Sequence, residues 1–349
     1  MKDFIYDMWD RWCRYRYVDP VFSFAKVCLT TGAALAAGGV GWAFTLIIPE
    51  WNIPVTIEFG PQQPILLGTV LIIVGLFLGF WRIRTSSKKV GCFLIDHRGM
   101  EGMDLGDPQK FLPGSCKTGE VRVVRIGFSD NKKDVLKKIE ALNERLNQDF
   151  SGDGNGKADL VYAGLAPVPF LFYAGVSLTS RKQCKIILDW DRHLGVWHEP
   201  SKPSQNLSFD IVRPEQPVVE DIAIAMPLSA PFGDTPVVAT VGDMPIMWLK
   251  LQDGTSQDSI ASSLDQQRLA REFYDVLAGL REEYPNLKKV HLFVAAQASF
   301  IFRMGQQYST TVHPPIQVYG FNANRNIYDW NVRIEGDAEI QELNNLVID

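Results

Sequence analysis

The chain has 349 residues, a formal net charge of −5 and 46% hydrophobic residues, a length that favours two or three structural units. At 21% charged residues the chain is too apolar for an intrinsically disordered protein. The residues after Lys89 carry more acidic than basic side chains, which argues against a protein that coats long DNA or RNA. The five cysteines have no short spacing, which argues against a zinc site or a disulfide framework.

Two apolar stretches near the N-terminus predict a membrane hairpin. Within residues 22–48 the only charged side chain is that of Lys26, and residues 65–81 carry no charge. Each stretch can cross the ~30 Å hydrocarbon layer as a helix, the second at the short end of the spanning range. A cleaved signal peptide for the first stretch and a buried core helix for the second stay open. We therefore predict an N-terminal segment over 1–21 and a two-helix transmembrane hairpin over 22–81.

The flanking charges predict the orientation of this hairpin. Lys and Arg lie before the first stretch and after the second, whereas the connecting loop carries none. The excess of basic residues on the inner side of membranes then places both termini in the cytoplasm. Small residues at four-residue steps, such as Ala33 and Ala37 or Gly75 and Gly79, allow close helix contact. Packing within one hairpin and contact between copies both stay open.

The remainder of the chain predicts a doubled α/β unit. A shift of 130 residues aligns Phe170 with Phe300 and Gly175 with Gly305. Short apolar strands alternate with helices in both copies, which favours parallel sheets covered by helices. The Pro- and Ser-rich linker is predicted at 199–216, the halves at 90–198 and 217–335, and a C-terminal tail at 336–349. In chain order, the predicted strands are 91–96, 121–126, 160–163, 185–190, 221–226, 246–251, 289–295 and 316–319, and the helices are 132–147, 169–179, 259–284 and 298–307.

Two repeat-matched segments, 166–169 and 296–299, predict a ligand site. Each segment follows a strand and opens a helix. Ligands of such folds bind beyond the carboxyl ends of strands, where the free N–H groups and the dipole of a helix favour an anion. Facing each other across a pseudo-dyad, the two helix starts suit a ligand that carries repeated phosphates.

Residues 290–334 resemble the closing half of SAVED domains. The resemblance extends over about residues 90–335 and is strongest in the second half. It implies two tandem Rossmann-like units of the CARF type, in agreement with the internal repeat. Its motifs are a strand that ends in a small-residue loop at Ala296, a helix that carries Gly305, the strand HPPIQVY at 313–319, and a final strand with Tyr328 and Trp330.

A two-span hairpin before a SAVED domain resembles membrane effectors of CBASS, a bacterial anti-phage system. The resemblance implies that a cyclic di- or trinucleotide messenger binds the SAVED domain, that the protein then forms homo-oligomers, and that its hairpin disrupts the inner membrane and kills the infected cell. It implies neither catalytic residues nor a cofactor; the expected partners are the messenger, further copies and the lipid bilayer. A membrane-anchored hydrolase that cleaves the messenger stays open as the alternative.

Candidate ligand residues are chosen by position and chemistry. For the stacking residues a core position is the alternative, and for Arg303 an ordinary surface position. The polar cluster at 189–193 is interpreted as a satisfied turn, with ligand contact left open. The candidates are Gln297, Ser299 and Ser229 for hydrogen bonds, Arg303 and Arg98 for charge, Phe232, Tyr173, Tyr319 and Trp197 for stacking on bases, and Pro167 in the first helix-opening segment.

Overall fold

The structure, a computed structural model, describes most of the chain and divides it into two compact units. The first unit comprises residues 1–91 and 112–121, and the second comprises 92–111 and 122–349. Nearly all of the predicted N-terminal segment 1–21 lies outside the described residues. The described residues are 20–37, 43–47, 54–58, 63–86, 90–114, 116, 120–151, 159–178, 184, 186–215 and 219–343.

The first unit contains a pair of apolar helices and a β-hairpin. A Cβ on Gly32 would meet the carbonyl oxygen of Gly68 at 2.7 Å, and one on Gly75 would meet that of Ala25 at 2.9 Å. These contacts show that the helices run antiparallel and that their backbones approach closely where side chains are small. The elements are α1 (Pro20–Ala37), β1 (Ala43–Ile47), β2 (Pro54–Glu58) and α2 (Gln63–Ser86), with β1 antiparallel to β2.

The first unit differs from the predicted hairpin. The first apolar stretch is not one helix, because α1 ends at Ala37 and residues 43–47 form a strand. The strand partner, residues 54–58, is rich in β-branched side chains, which favour a sheet over a helix. The second stretch lies within α2. None of the helices in the described residues is long and apolar enough to cross a membrane.

The small-residue contacts of the first unit lie within one chain. Gly32, Gly68 and Gly75 form them, whereas Ala33 and Ala34 are exposed. Packing within the hairpin, one of the two interpretations of the small-residue spacing, is therefore confirmed for Gly75.

The first half of the predicted repeat is a five-stranded sheet with helices. Its strand order is β4-β3-β5-β6-β7, in which β3, β5 and β6 are parallel and β7 is antiparallel to β6. The predicted strands and helices of this half are confirmed to within a few residues. The elements are β3 (Val90–Arg98), β4 (Glu120–Gly127), α3 (Lys132–Ser151), β5 (Asp159–Leu165), α4 (Val168–Leu178), β6 (Ile186–Asp191) and β7 (Val196–His198).

The second half is a seven-stranded sheet in the order β14-β13-β12-β11-β9-β10-β8. Its four middle strands are parallel, and β8, β13 and β14 are antiparallel to their neighbours. The elements are β8 (Phe209–Val212), β9 (Asp221–Pro227), α5 (Asp234–Val241), β10 (Ile246–Leu251), α6 (Ser263–Glu283), β11 (Lys289–Ala295), α7 (Ala298–Gln307), β12 (Ile316–Asn322), β13 (Ile327–Glu335) and β14 (Asp337–Glu342).

Three predicted boundaries need correction. The second part of the linker, Phe209–Val212, is an edge strand of the second sheet. Residues 337–342 of the predicted tail form another edge strand, paired with β13. Helix α6 begins at Ser263 rather than near residue 259, because the hydroxyl of Ser262 accepts a hydrogen bond from the N–H of Asp265 and caps the helix there.

The two halves meet along helices α4 and α7. A Cβ on Gly175 of α4 would clash with the carbonyl oxygen of Phe302, and one on Gly305 of α7 would clash with that of Phe172. This reciprocal contact joins repeat-matched residues, as a local two-fold axis requires. Because the two helices cross at their glycines, their first turns are brought to the same side of the interface.

Candidate functional site: the cleft between the two halves

A cleft of about 410 Å³ opens between the two halves, within the second unit. Val168 and Ala298, the first residues of α4 and α7, both line it. Residues 189–193 at the end of β6 form part of the wall from the first half, and Ser229, Gln257 and Asp258 form part of the wall from the second half. The two predicted helix-opening segments therefore contribute to one cleft.

The segment 189–193 is a hydrogen-bonded turn that also lines the cleft. The Oδ1 atom of Asp191 accepts from the N–H groups of His193 at 2.8 Å and Leu194 at 2.9 Å. The bond from Leu194 is the largest influence, and it lowers the pKa of the Asp191 carboxyl group. Gly195 ends the turn with φ +65°, in the left-handed region that suits glycine. The interpretation as a satisfied turn is confirmed, and the turn is nonetheless part of the cleft wall.

Asp189 connects the first half to the start of α7 in the second half. Its carboxylate accepts from the N–H of Ser299 at 3.1 Å and from the Ser299 hydroxyl at 2.5 Å. The Gln266 side chain donates to the same hydroxyl oxygen at 2.7 Å. Burial raises the pKa of the Asp189 carboxyl group, and the bonds from Ser299 act in the opposite direction. A carboxylate of one half thus caps a helix of the other.

The charged groups of the cleft are mixed and more acidic than basic. Among its described lining residues, the carboxyl groups of Asp189, Asp191 and Asp258 outnumber the guanidinium group of Arg192. His193 lies beside Arg192, and its Nε2 is 3.3 Å from Oε1 of Gln257 across the cleft. This contact bridges the two halves at their exposed rim.

An aromatic residue that was not among the predicted stacking candidates lines the cleft. Trp190 is half-buried and packs edge-on against Trp197, with 5.3 Å between ring centroids. Its position inside the polar cluster at 189–193, directly after a buried strand, was the available signal in the sequence.

Two of the predicted ligand residues line the cleft, and a third is adjacent to it. Gln297 and Ser229 are lining residues. Pro167 is not, although its neighbours Ala166 and Val168 are; its carbonyl oxygen accepts from two N–H groups of the first turn of α4. Their contact with a ligand stays a prediction.

Ser299 and Arg303 do not have the positions that were predicted for them. Ser299 is buried, and its hydroxyl and N–H are bonded to Asp189. Arg303 is 6% exposed, so it is neither a cleft residue nor the surface arginine of the alternative. Its Nη2 donates to the hydroxyl of Ser263 at 3.4 Å, and burial lowers the pKa of its guanidinium group. Both side chains serve the interior.

The four predicted stacking residues are packed within the protein and do not line the cleft. Tyr319 stacks on Phe293 at 4.3 Å, and burial raises its pKa. Trp197 donates to the carbonyl oxygen of Leu105 at 2.7 Å. Phe232 packs against Trp248 and Tyr328. Burial, followed by the charge of Glu140, raises the pKa of Tyr173 to about 12. The core alternative is correct for these aromatic residues.

Arg98 is engaged near the cleft without lining it. Its Nε donates to the buried carboxylate of Asp96 at 3.0 Å, and its Nη2 donates to the carbonyl oxygen of Gly106 at 2.6 Å. The ion pair therefore occupies the charge that was predicted to reach a phosphate. Within the described residues, no group of three or more His, Cys, Asp or Glu side chains could hold a metal ion.

Comparison with known proteins identifies the sensor part of the chain. The family model of SAVED, the SMODS-associated and fused to various effectors sensor domain, matches residues 118–334. None of the curated proteins matches the chain.

Solved structures of the Acinetobacter baumannii Cap4 SAVED/CARF-domain containing receptor are similar to the chain. The complex with 3'3'3'-cAAA has a TM-score of 0.45 at 13% identity, and the complex with 2'3'3'-cAAA has 0.43 at 14%; each alignment covers 78% of this chain and 61% of the receptor. The receptor without a named ligand has a TM-score of 0.40 at 14% identity, with 82% and 57% covered. The alignments thus span about 60% of the receptor's length, and TM-scores this low carry no argument about fold or ligand.

Proposed function

Since the chain belongs to the SAVED family of sensor domains, we propose that it binds a cyclic oligonucleotide in the cleft between its two halves. The observation that carries this proposal is the convergence of Val168 and Ala298, the first residues of two repeat-matched helices, on one cleft of about 410 Å³. The pseudo-symmetry of the cleft suits a ligand that is itself built from repeated nucleotides.

The cleft offers the chemical groups that such a ligand needs. The indole of Trp190 supports stacking on a base, which is a sequence-tolerant interaction. The guanidinium group of Arg192 supplies charge for a phosphate. The backbone at the starts of α4 and α7 adds N–H donors and the positive ends of two helix dipoles.

We also propose that the ligand is sensed and not cleaved. Cleavage needs a general base or nucleophile close to the phosphates. Two of the three carboxyl groups in the cleft wall already accept hydrogen bonds, Asp189 from Ser299 and Asp191 from its own turn. The ligand recovered after incubation with the full chain is therefore expected to be intact. Linear products would favour the hydrolase alternative.

The effector step is a further part of the proposal. A ligand that binds an assembled form more tightly than the single chain shifts the population toward the assembly in proportion to that difference in affinity. We propose that homo-oligomers formed in this way disrupt the inner membrane of the infected bacterium, as part of a CBASS response. The sensor part is proposed to lie in the cytoplasm.

The helix pair of the first unit supports a membrane target. Large apolar side chains on both helices are exposed, Leu66 to 72% and Phe77 to 65%. Contiguous apolar surface of this kind is typical of a contact with lipid or with another protein. We propose lipid, because the glycine side of the pair is already used within the chain. The other large exposed apolar residues are Phe24, Val27, Ile65, Leu67, Val70, Ile73, Val74, Leu76, Phe80 and Trp81.

Liposome leakage tests the effector step. The full chain, mixed with dye-filled liposomes, is expected to release dye only when the bound cyclic oligonucleotide is present. Leu66→Glu is expected to abolish release while ligand affinity is kept. The matched control is Leu264→Glu, an exposed leucine on α6 of the sensor part, which is expected to behave as the wild type. Intact liposomes in the presence of confirmed oligomers would contradict membrane disruption.

A further inference from the structure

The side-chain amide of Gln297 has an acceptor without a partner at the cleft. Its Oε1 is buried and, within the described residues, has no hydrogen-bond partner. Gln297 lines the cleft and precedes the first residue of α7. A buried acceptor without a donor is unfavourable, so a ligand that supplies the donor gains free energy on binding.

The structure leaves this amide available. Gln297 occupies the N-cap position of α7, yet its side chain makes no capping hydrogen bond. The capping role belongs to Asp189 of the other half, which accepts from the N–H of Ser299. The terminal torsion of a glutamine is soft, so the amide can turn toward the cleft at little cost.

The chemistry of the acceptor selects the part of the ligand that it contacts. A phosphodiester has no proton to donate at neutral pH, so it cannot satisfy Oε1. An exocyclic amino group of a base can. The same glutamine also carries an N–H₂ donor, and this acceptor–donor pair matches N6 and N7 of adenine. Trp190 lines the same cleft and offers a stacking surface for the base.

We infer that Gln297 reads the amino edge of an adenine base and makes the receptor selective for cyclic adenylates. This inference rests on the proposed function. It assigns base recognition to the start of α7 and leaves the phosphates to the other groups of the cleft.

Replacing adenine by hypoxanthine tests the inference, because it exchanges the amino group for an oxygen and leaves the ring size unchanged. The full chain is titrated by calorimetry with 3'3'3'-cAAA and 3'3'-cyclic di-AMP, and then with the all-inosine counterpart of the tighter ligand. The wild type is expected to prefer the adenine ring about tenfold, the discrimination of one amide–base pair. Gln297→Ala is expected to bind both rings with the weaker affinity. Gln307→Ala, at the other end of α7 and outside the cleft lining, is expected to keep the preference.

The outcomes separate this inference from the proposed function. Equal binding of the adenine and inosine rings by the wild type would overturn the inference and leave the receptor function standing, as would a preference that Gln297→Ala retains. Binding of no cyclic oligonucleotide would overturn both. An unchanged thermal midpoint of Gln297→Ala shows that any loss of affinity is local.

Discussion

The carboxylate of Asp189, at the end of β6, accepts two hydrogen bonds from Ser299, in the first turn of α7, although the residues lie 110 positions apart in the chain. The bond closes the deep side of the cleft and holds the start of α7 against the first half. It also explains why Ser299, which was predicted to contact the ligand, is buried.

Removing this cap is expected to weaken the contact between the halves. Asp189→Ala leaves the N–H and hydroxyl of Ser299 without their acceptor, and we expect a loss of about 1–3 kcal/mol in the free energy of unfolding, measured with urea. Ser299→Ala alone removes only the hydroxyl and is expected to cost less. In the double variant the two losses should not add, with a coupling of about 1 kcal/mol or more. Additive losses would show that the pair does not act as a unit.

The glycine contact between α4 and α7 is expected to tolerate no side chain. Gly175→Ala places a methyl group against the carbonyl oxygen of Phe302, a backbone atom that cannot move away alone. Overpacking of this kind costs about 1–3 kcal/mol, and urea unfolding measures it. The matched control is Gly279→Ala in α6, where nothing lies within 4 Å of the new Cβ. There the helix preference of alanine is expected to add up to about 1 kcal/mol. Equal effects at the two sites would contradict the packing of the halves.

The buried histidines predict a loss of stability in mild acid. Burial lowers the pKa of His97 to about 3, and of His291 and His313 to about 4. The unfolded chain binds these protons near pH 6.5. Between the two values the unfolded state holds more protons, so stability falls as the pH decreases from about 6.5 to about 4.

One substitution isolates this effect. His97→Gln is expected to make the dependence of the free energy of unfolding on pH shallower between pH 7 and 5, by up to about 1.4 kcal/mol per pH unit. His193→Gln, on an exposed turn, is the control and is expected to leave the slope unchanged. A wild-type slope in His97→Gln would show that this side chain does not stay neutral in the fold.

The strands and helices of the sensor part could be predicted from periodicity, because parallel strands buried on both faces are continuous apolar runs. Residues 222–228 are all buried. The edge strand at 209–212 and the strand at 337–342 were missed because edge strands are short and partly polar. Helix α5 carries Pro236 in its first turn and has only eight residues, too few for a clear period.

The place of the site was predictable, whereas most of its side chains were not. The repeat and the rule for strand ends located both helix starts. Which side chain near a helix start faces a ligand depends on the partner across the interface. Ser299 is buried because Asp189 lies opposite it, and the sequence gives no sign of a contact 110 residues away. Trp190 and Arg192 were set aside with their turn, although a satisfied backbone leaves side chains free to line a cleft.

Calorimetric titration of the full chain with a panel of cyclic di- and trinucleotides, repeated after the cleft is blocked, tests the central claim most directly. Ala230 is exposed and lines the cleft, so Ala230→Trp fills the cleft without disturbing the core. Ala239→Trp, on the exposed side of α5, is the matched control. We predict saturable binding of at least one ring by the wild type and by Ala239→Trp, and at least tenfold weaker binding by Ala230→Trp. Equal affinity of all three proteins, or no binding of any ring by the wild type, would contradict a cyclic-oligonucleotide site between the halves.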